Sequence, residues 1–224
     1  MKRIKLKERV LPEYTRGEEI FNMVSHIVGG GFGVIATVSC IAVAAIHNNK
    51  YGVISAIIYG ISMILLYTMS SIYHGLKPNT TSKKVFQIID HCTIFLLIAG
   101  SYTPFLLCTF RVYNSTLGWS LFAIIWGMAI LGVVLNAIDL RRYRVFSMIC
   151  YLAMGWCIIF KASILPSLLG TTGVALLVAG GIAYTVGTIF YGFGKKVKYF
   201  HSIFHLFILL GSILQFLCII LYVM

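Results

Sequence analysis

The chain has 224 residues, of which 59% are hydrophobic and 11% are charged, and its mean hydropathy is +0.93. A soluble domain is about 45–50% apolar and about 25% charged, so this composition excludes a water-soluble globular protein and a disordered chain. Six cysteines are too dilute for a small disulfide-stapled domain, and long continuous apolar runs exclude an outer-membrane barrel, whose strands alternate in hydrophobicity.

Seven apolar runs are long enough to cross a bilayer as helices, for which about 20 residues are needed. They cover approximately residues 21–46, 52–74, 85–109, 117–138, 145–165, 172–193 and 201–223. The loops between them are short, so neighbouring helices should be antiparallel, and Pro104 should kink the third span. We therefore predict an all-α membrane protein, a bundle of seven transmembrane helices. It divides into a basic segment at residues 1–20 and a transmembrane domain at residues 21–224.

The net charge of +12 follows the topology of this bundle. Lys and Arg are enriched in cytoplasmic loops. Here the basic residues fall in the N-terminal segment and in the second, fourth and sixth loops, which contain Lys77, Lys83, Lys84, Arg141, Arg142, Arg144, Lys195, Lys196 and Lys198. The loops on the other side carry Lys50 and Arg111. We predict a cytoplasmic N-terminus and an external C-terminus at the cell membrane, and no nucleic-acid partner.

Ionisable residues within the spans gather at one end of the predicted bundle. His74 closes the second span, Asp90 lies near the start of the third, and His201 and His205 open the seventh. Such groups cost free energy inside a bilayer and therefore indicate function. The two histidines of the seventh span are four residues apart, a spacing with which one helix supplies two metal ligands. Ser70 is likewise four residues before His74 and shares its helix face.

A third histidine from a facing helix would complete a set of three nitrogens. Three protein ligands with an open fourth position are typical of a catalytic zinc. The alternative is that these histidines only form hydrogen bonds with backbone or lipid headgroups. His91 points about 100° away from Asp90 on the helix, so we interpret it as a packing or interfacial residue. His26, near the start of the first span, is a weaker candidate.

Four segments together resemble a known family. They are Glu19-x-x-Asn22-x-x-Ser25-His26, Ser70-Ser71-Ile72-Tyr73-His74 with Asp90, Ala99 to Phe105, and His201-Ser202-Ile203-Phe204-His205. In this order they are similar to the haemolysin-III branch of the progestin and adiponectin receptor family, over nearly the whole chain. The resemblance implies a zinc site on the intracellular side with the ligands His74, His201 and His205. It also implies that Asp90 holds or activates a water on the metal, with Ser70 beside it. The roles of Glu19, Asn22 and His26 stay open.

The wider superfamily includes the alkaline ceramidases, and this resemblance implies zinc-dependent hydrolysis of a lipid amide or ester. Asp90 and Ser70 would then be the catalytic residues and a membrane lipid the partner. The competing hypothesis is a non-enzymatic protein, either a haemolysin-like pore former that causes cytolysis or a receptor-like sensor of membrane state with a structural zinc. The sequence leaves open the substrate, the oligomeric state and the metal, beyond a divalent ion that tolerates nitrogen ligands.

Overall fold

A computed structural model describes residues 6–194 and 196–224, with the side chain of Lys7 excepted. Four residues that contribute to the predicted charge asymmetry, Lys2, Arg3, Lys5 and Lys195, lie outside the described residues. All regular secondary structure in the described ranges is helical. Seven of these helices are long and apolar enough to cross a membrane, namely α1 (Arg16–Ile46), α2 (Lys50–Gly75), α3 (Thr81–Tyr113), α4 (Ser115–Asp139), α5 (Arg144–Lys161), α6 (Leu165–Phe193) and α7 (Phe200–Tyr222). The predicted seven-helix membrane bundle is confirmed.

Each of the seven spans begins before its predicted apolar run, and α1 and α6 do so by the largest margins. Helix α1 begins at Arg16, before residue 21, because Thr15 and Glu18 form a capping box. The amide of Glu18 donates to the Thr15 hydroxyl at 3.3 Å, and the amide of Thr15 donates to the Glu18 carboxylate at 2.9 Å. Such a box satisfies two donors at the helix start, so it adds polar turns that an apolar scan does not detect. Helix α6 begins at Leu165 with Pro166 in its first turn, where proline loses no hydrogen bond, and it is broken at Gly170, whose φ of 67° and ψ of 168° are not helical. The continuous part of this span therefore follows Gly170, close to the predicted start at residue 172.

The third and fifth spans change helix type along their length. Helix α3 is an α-helix over Thr81–Pro104, becomes a π-helix over Phe105–Phe110, and ends with Arg111–Tyr113. A proline removes a backbone donor and crowds the preceding turn, and a wider π turn accommodates it. The irregularity expected at Pro104 thus takes the form of a π segment in the second half of the span. Helix α5 is α-helical to Trp156 and continues as a 3-10 helix over Cys157–Lys161.

The order of packing determines which helix ends meet. Consecutive helices α1, α2, α3 and α4 pack in sequence, α6 packs on α7, and α7 returns against α1. The start of α1, the end of α2, the start of α3 and the start of α7 therefore share one end of the bundle. At the opposite end His47 Nδ1 lies 3.0 Å from a backbone oxygen of Met224. The first loop and the C-terminus are thus on the same side.

Candidate metal centre

Three histidine rings converge where α2 meets α7. The distance between His74 Nε2 and His201 Nε2 is 3.4 Å, and that between His201 Nε2 and His205 Nε2 is 3.2 Å. One ring nitrogen from each residue lies within 4.8 Å of the other two. All three side chains are buried. The folded chain therefore brings together the three residues that the sequence predicts as ligands, although His74 is far from the other two in sequence.

The spacing of these nitrogens can be compared with that around a zinc ion. With Zn–N distances of about 2.0–2.1 Å and tetrahedral angles, two ligand nitrogens lie about 3.3–3.4 Å apart. The His201–His205 and His74–His201 separations, 3.2 and 3.4 Å, are close to this value. Imidazole nitrogen suits Zn, Cu, Fe and Ni. The donor set therefore fits a divalent ion of this kind, held by one histidine of α2 and two of α7.

Behind His74 lies a partly buried ion pair between Lys83 and Glu19. His74 Nδ1 is 2.6 Å from Glu19 Oε2, and Lys83 Nζ is 2.8 Å from Glu19 Oε1. Lys83 is only 1% exposed. The expectation that Lys83 lies in a basic loop is wrong. Lys83 lies in the first turn of α3. Thr80 caps this helix, so α3 begins in the polar stretch before the apolar run. Glu19, whose role the sequence left open, thereby contacts a candidate ligand.

A second residue of α1 lies against the cluster from another side. The ring of His26 is stacked on that of His205, and it makes a T-shaped contact with the ring of Tyr67 at a centroid distance of 5.0 Å. Asn22, one turn earlier on α1, is also fully buried. Among the described residues, neither ring nitrogen of His26 and neither side-chain polar atom of Asn22 has a hydrogen-bond partner. His26 therefore supports the cluster by ring contact and is not one of its three convergent nitrogens.

Asp90 and Ser70 are not members of the three-histidine cluster. Both line a cavity that His201 and His205 also line. Asp90 Oδ2 lies 3.3 Å from His91 Nδ1, and His91 Nε2 lies 3.0 Å from the Tyr191 hydroxyl. The interpretation of His91 as a packing residue is therefore incomplete, because this ring lies within ion-pair distance of the carboxylate. A helix separation of about 100° describes the Cβ directions and does not prevent neighbouring side chains from turning toward each other.

The cavity that starts at the histidines continues between α3, α5, α6 and α7. Its walls are mostly apolar, for example Leu97, Phe105, Leu152, Leu165 and Leu177. Its histidine, aspartate and arginine lining residues belong to the end of the bundle where the histidine cluster lies. A cavity with apolar walls and a few convergent polar groups is the usual form of a site for an amphipathic small molecule.

The segment that precedes α1, which includes Arg9 and Tyr14, covers the histidine cluster at the end of the bundle where α1 begins. The ring of Tyr14 stacks on His201 with centroids 4.8 Å apart and planes at 16°. Arg9 Nε donates to Gln87 Oε1 at 3.0 Å, which holds the segment against α3. Burial raises the pKa of the Tyr14 hydroxyl, so this group stays protonated. The sequence does not predict this covering segment, because one tyrosine in a polar stretch produces no periodic signal.

Comparison with known proteins places the chain in one family. Residues 14–216 match the protein family described as "Haemolysin-III related". The chain is 43% identical over 211 residues to "Hemolysin-3" of Bacillus cereus, which covers 92% of each chain. It is 40% identical over 209 residues to "Hemolysin-3 homolog" of Bacillus subtilis (strain 168), which covers 93% of this chain and 96% of that one. It is 28% identical over 171 residues to the human "Monocyte to macrophage differentiation factor", a match that covers 74% of this chain and 69% of that one.

Proposed function

The chain belongs to the haemolysin-III related family of membrane proteins, as its motifs predicted, and from this premise we propose that it is a zinc-dependent hydrolase that cleaves an amide or ester bond of a membrane lipid. One observation carries the proposal. Three imidazole nitrogens converge, and two of their residues, His201 and His205, line a largely apolar cavity together with Asp90. A lipid whose chain occupies the cavity would present its polar linkage to these groups.

His74, His201 and His205 would hold the metal. Three protein ligands leave a fourth position open, as in catalytic zinc sites. When bound, zinc supplies Lewis acidity that polarises a carbonyl and lowers the pKa of a bound water toward about 7. The stacked rings of Tyr14 and His26 restrict the orientations of His201 and His205.

Asp90 would move the protons of the reaction. Its carboxylate accepts a proton from the attacking water as the new C–O bond forms. It then returns that proton to the leaving nitrogen or oxygen as the C–N or C–O bond of the substrate breaks, so that water is consumed and an acid and an amine or alcohol are released. The neighbouring His91 imidazole would help to orient the carboxylate, because its Nδ1 atom lies 3.3 Å from Asp90 Oδ2 as well as 2.9 Å from the carbonyl oxygen of Gln87. The Ser70 hydroxyl would support Asp90 or the developing negative charge on the substrate.

The apolar cavity would bind the hydrocarbon chain of the lipid. It is lined by residues of α3, α5, α6 and α7, so a chain placed there is removed from water while its linkage stays near Asp90. Basic residues on this side of the protein would attract anionic headgroups, each contributing about 1 kcal/mol near a membrane surface.

Turnover by purified protein in vesicles tests this function. Zinc-loaded protein is incubated with a fluorescent ceramide and a fluorescent ester lipid, and the products are separated. We expect His74→Ala to lose both metal and turnover, and Asp90→Asn to lose turnover while it retains metal. Ser70→Ala should reduce turnover less than Asp90→Asn does. His47→Ala, at the opposite end of the bundle, is the matched histidine control and should behave as wild type. Asp90→Asn with undiminished turnover, or zinc-loaded wild type that cleaves neither linkage, would contradict the proposal.

Membrane lysis is a second candidate, because the two bacterial relatives carry the name "Hemolysin-3". Leakage of a dye from vesicles separates it from hydrolysis. Lysis by a pore should persist in the Asp90→Asn variant, whereas damage caused by hydrolysed lipid should disappear with this substitution.

A further inference from the structure

We propose that Glu19 and Lys83 select the tautomer of His74 that leaves its Nε2 atom free to bind a metal. Glu19 is then a positioning residue, which acts through His74. Lys83 occupies one oxygen of Glu19 and leaves the other to accept a hydrogen bond from His74. This inference rests on the metal site of the proposed function, and it does not depend on which bond the protein cleaves.

The hydrogen-bonding capacity of the three groups determines the tautomer. A lysine ammonium can only donate, so Glu19 Oε1, 2.8 Å from Lys83 Nζ, is an acceptor. An ionised carboxylate accepts at both oxygens. Glu19 Oε2, 2.6 Å from His74 Nδ1, therefore accepts from an Nδ1–H group. A neutral imidazole carries one N–H, so the Nε2 atom of His74 has a lone pair, and it faces His201 Nε2 at 3.4 Å.

Lys83 is fixed in this arrangement by its own surroundings. Its ammonium also donates to the carbonyl oxygen of Leu76 at 3.1 Å, and it lies 3.5 Å from that of His74. The side chain is buried, and separating a buried charge from its partner is costly. Both oxygens of Glu19 are engaged, one by Lys83 and one by His74. Glu19 is thus kept from becoming a fourth ligand, and the open position of the site is preserved.

The substitution Glu19→Gln should reverse the tautomer because an amide has one acceptor and one donor end. Next to the ammonium of Lys83 the amide oxygen must face the lysine. The amide NH₂ then faces His74 Nδ1, which must accept, so the proton moves to Nε2. A protonated Nε2 cannot bind a metal. If Lys83 is replaced by Met as well, the amide is free to turn its oxygen toward His74, and the metal-binding tautomer returns.

The affinity of purified full-length protein for Zn²⁺, measured by competition with a chelator, tests this inference. We expect Glu19→Gln to weaken binding by about 10- to 100-fold, the usual effect of removing a partner that orients a ligand. Lys83→Met should not weaken Zn²⁺ binding, because Glu19 still accepts from His74. The double variant Glu19→Gln/Lys83→Met should recover most of the lost affinity. Glu8→Gln, an exposed substitution in the N-terminal segment, is the matched control and should equal wild type.

The double variant separates tautomer selection from a purely structural role. If Glu19 only stabilised the fold, the second substitution would add to the loss or leave it unchanged, and either result would overturn the inference. Equal affinity of Glu19→Gln and wild type would overturn it as well. Wild type that binds no Zn²⁺ would reject the metal site and the proposed hydrolase together. Zinc-binding wild type without turnover, combined with rescue by Lys83→Met, would reject the hydrolase and retain this inference.

Discussion

The ring of His26 lies flat against the ring of His205, with centroids 3.7 Å apart and planes at 18°. The first residue is on α1 and the second on α7, so this contact joins the first and last spans beside the candidate metal centre. No hydrogen bond to either ring nitrogen of His26 occurs among the described residues. The shape of the ring, more than its polarity, therefore restricts the orientation of His205.

A pair of substitutions at His26 separates ring shape from nitrogen chemistry. We expect His26→Phe to retain Zn²⁺ affinity, because phenylalanine preserves a flat ring against His205. His26→Ala should weaken the affinity, because it removes a stacked contact of about 0.5–1.5 kcal/mol. Competition with a chelator measures both. Equal losses in the two variants would mean that the nitrogens of His26 matter, and the ring-contact interpretation would fail.

Tyr14 should control how easily a metal leaves the site. Its ring covers His201 at 4.8 Å on the side from which a water-soluble chelator would arrive. We expect Tyr14→Ala to accelerate zinc removal by EDTA in a stopped-flow measurement, and Tyr14→Phe to resemble wild type because it preserves the ring. Glu13→Gln, an exposed neighbour, is the control. Equal rates for Tyr14→Ala and wild type would show that the segment does not cover the site.

Two glycines of α4 provide a matched test of helix packing. A Cβ atom at Gly132 would overlap the ring of Phe95, whereas a Cβ at Gly127 would meet no atom within 4 Å. Overfilling a packed interface costs about 1–3 kcal/mol, and small residues allow membrane helices to approach closely. We therefore expect Gly132→Ala to lower the unfolding temperature and Gly127→Ala to leave it unchanged or slightly raised. Thermal unfolding in detergent, followed by tryptophan fluorescence, measures both. Similar temperatures for the two variants would contradict the α3–α4 contact.

Zinc should stabilise the folded chain through the three histidines. A ligand that binds only the native state adds about 2.7 kcal/mol of stability at 100 times its Kd. We expect the unfolding temperature of wild type to rise with Zn²⁺ and to fall again after EDTA treatment. His201→Ala/His205→Ala should show neither change. A rise of equal size in the double variant would place the stabilising ion elsewhere in the protein.

The number of helices and most of their extent could be predicted from the amino-acid sequence. Crossing a bilayer requires a continuous apolar run, and such a run is a local property that can be read without knowledge of neighbours. The pairing of His201 with His205 is also a local property, because their spacing of four residues places both on one face of α7. Periodicity did not reveal the start of α1 at Arg16, since the Thr15–Glu18 capping box that sets it is polar.

The tertiary structure decided which faces meet, because helical periodicity fixes the direction of a side chain on its own helix and carries no information about the neighbouring helix. Lys83 looked like a loop cation in the sequence, and only the packing of α1, α2 and α3 buries it against Glu19. The same packing joins Glu19 to His74 across 55 positions of the chain and lays His26 on His205. These contacts join residues that are distant in sequence, and no local pattern encodes them. They determine which side chains surround the histidine cluster.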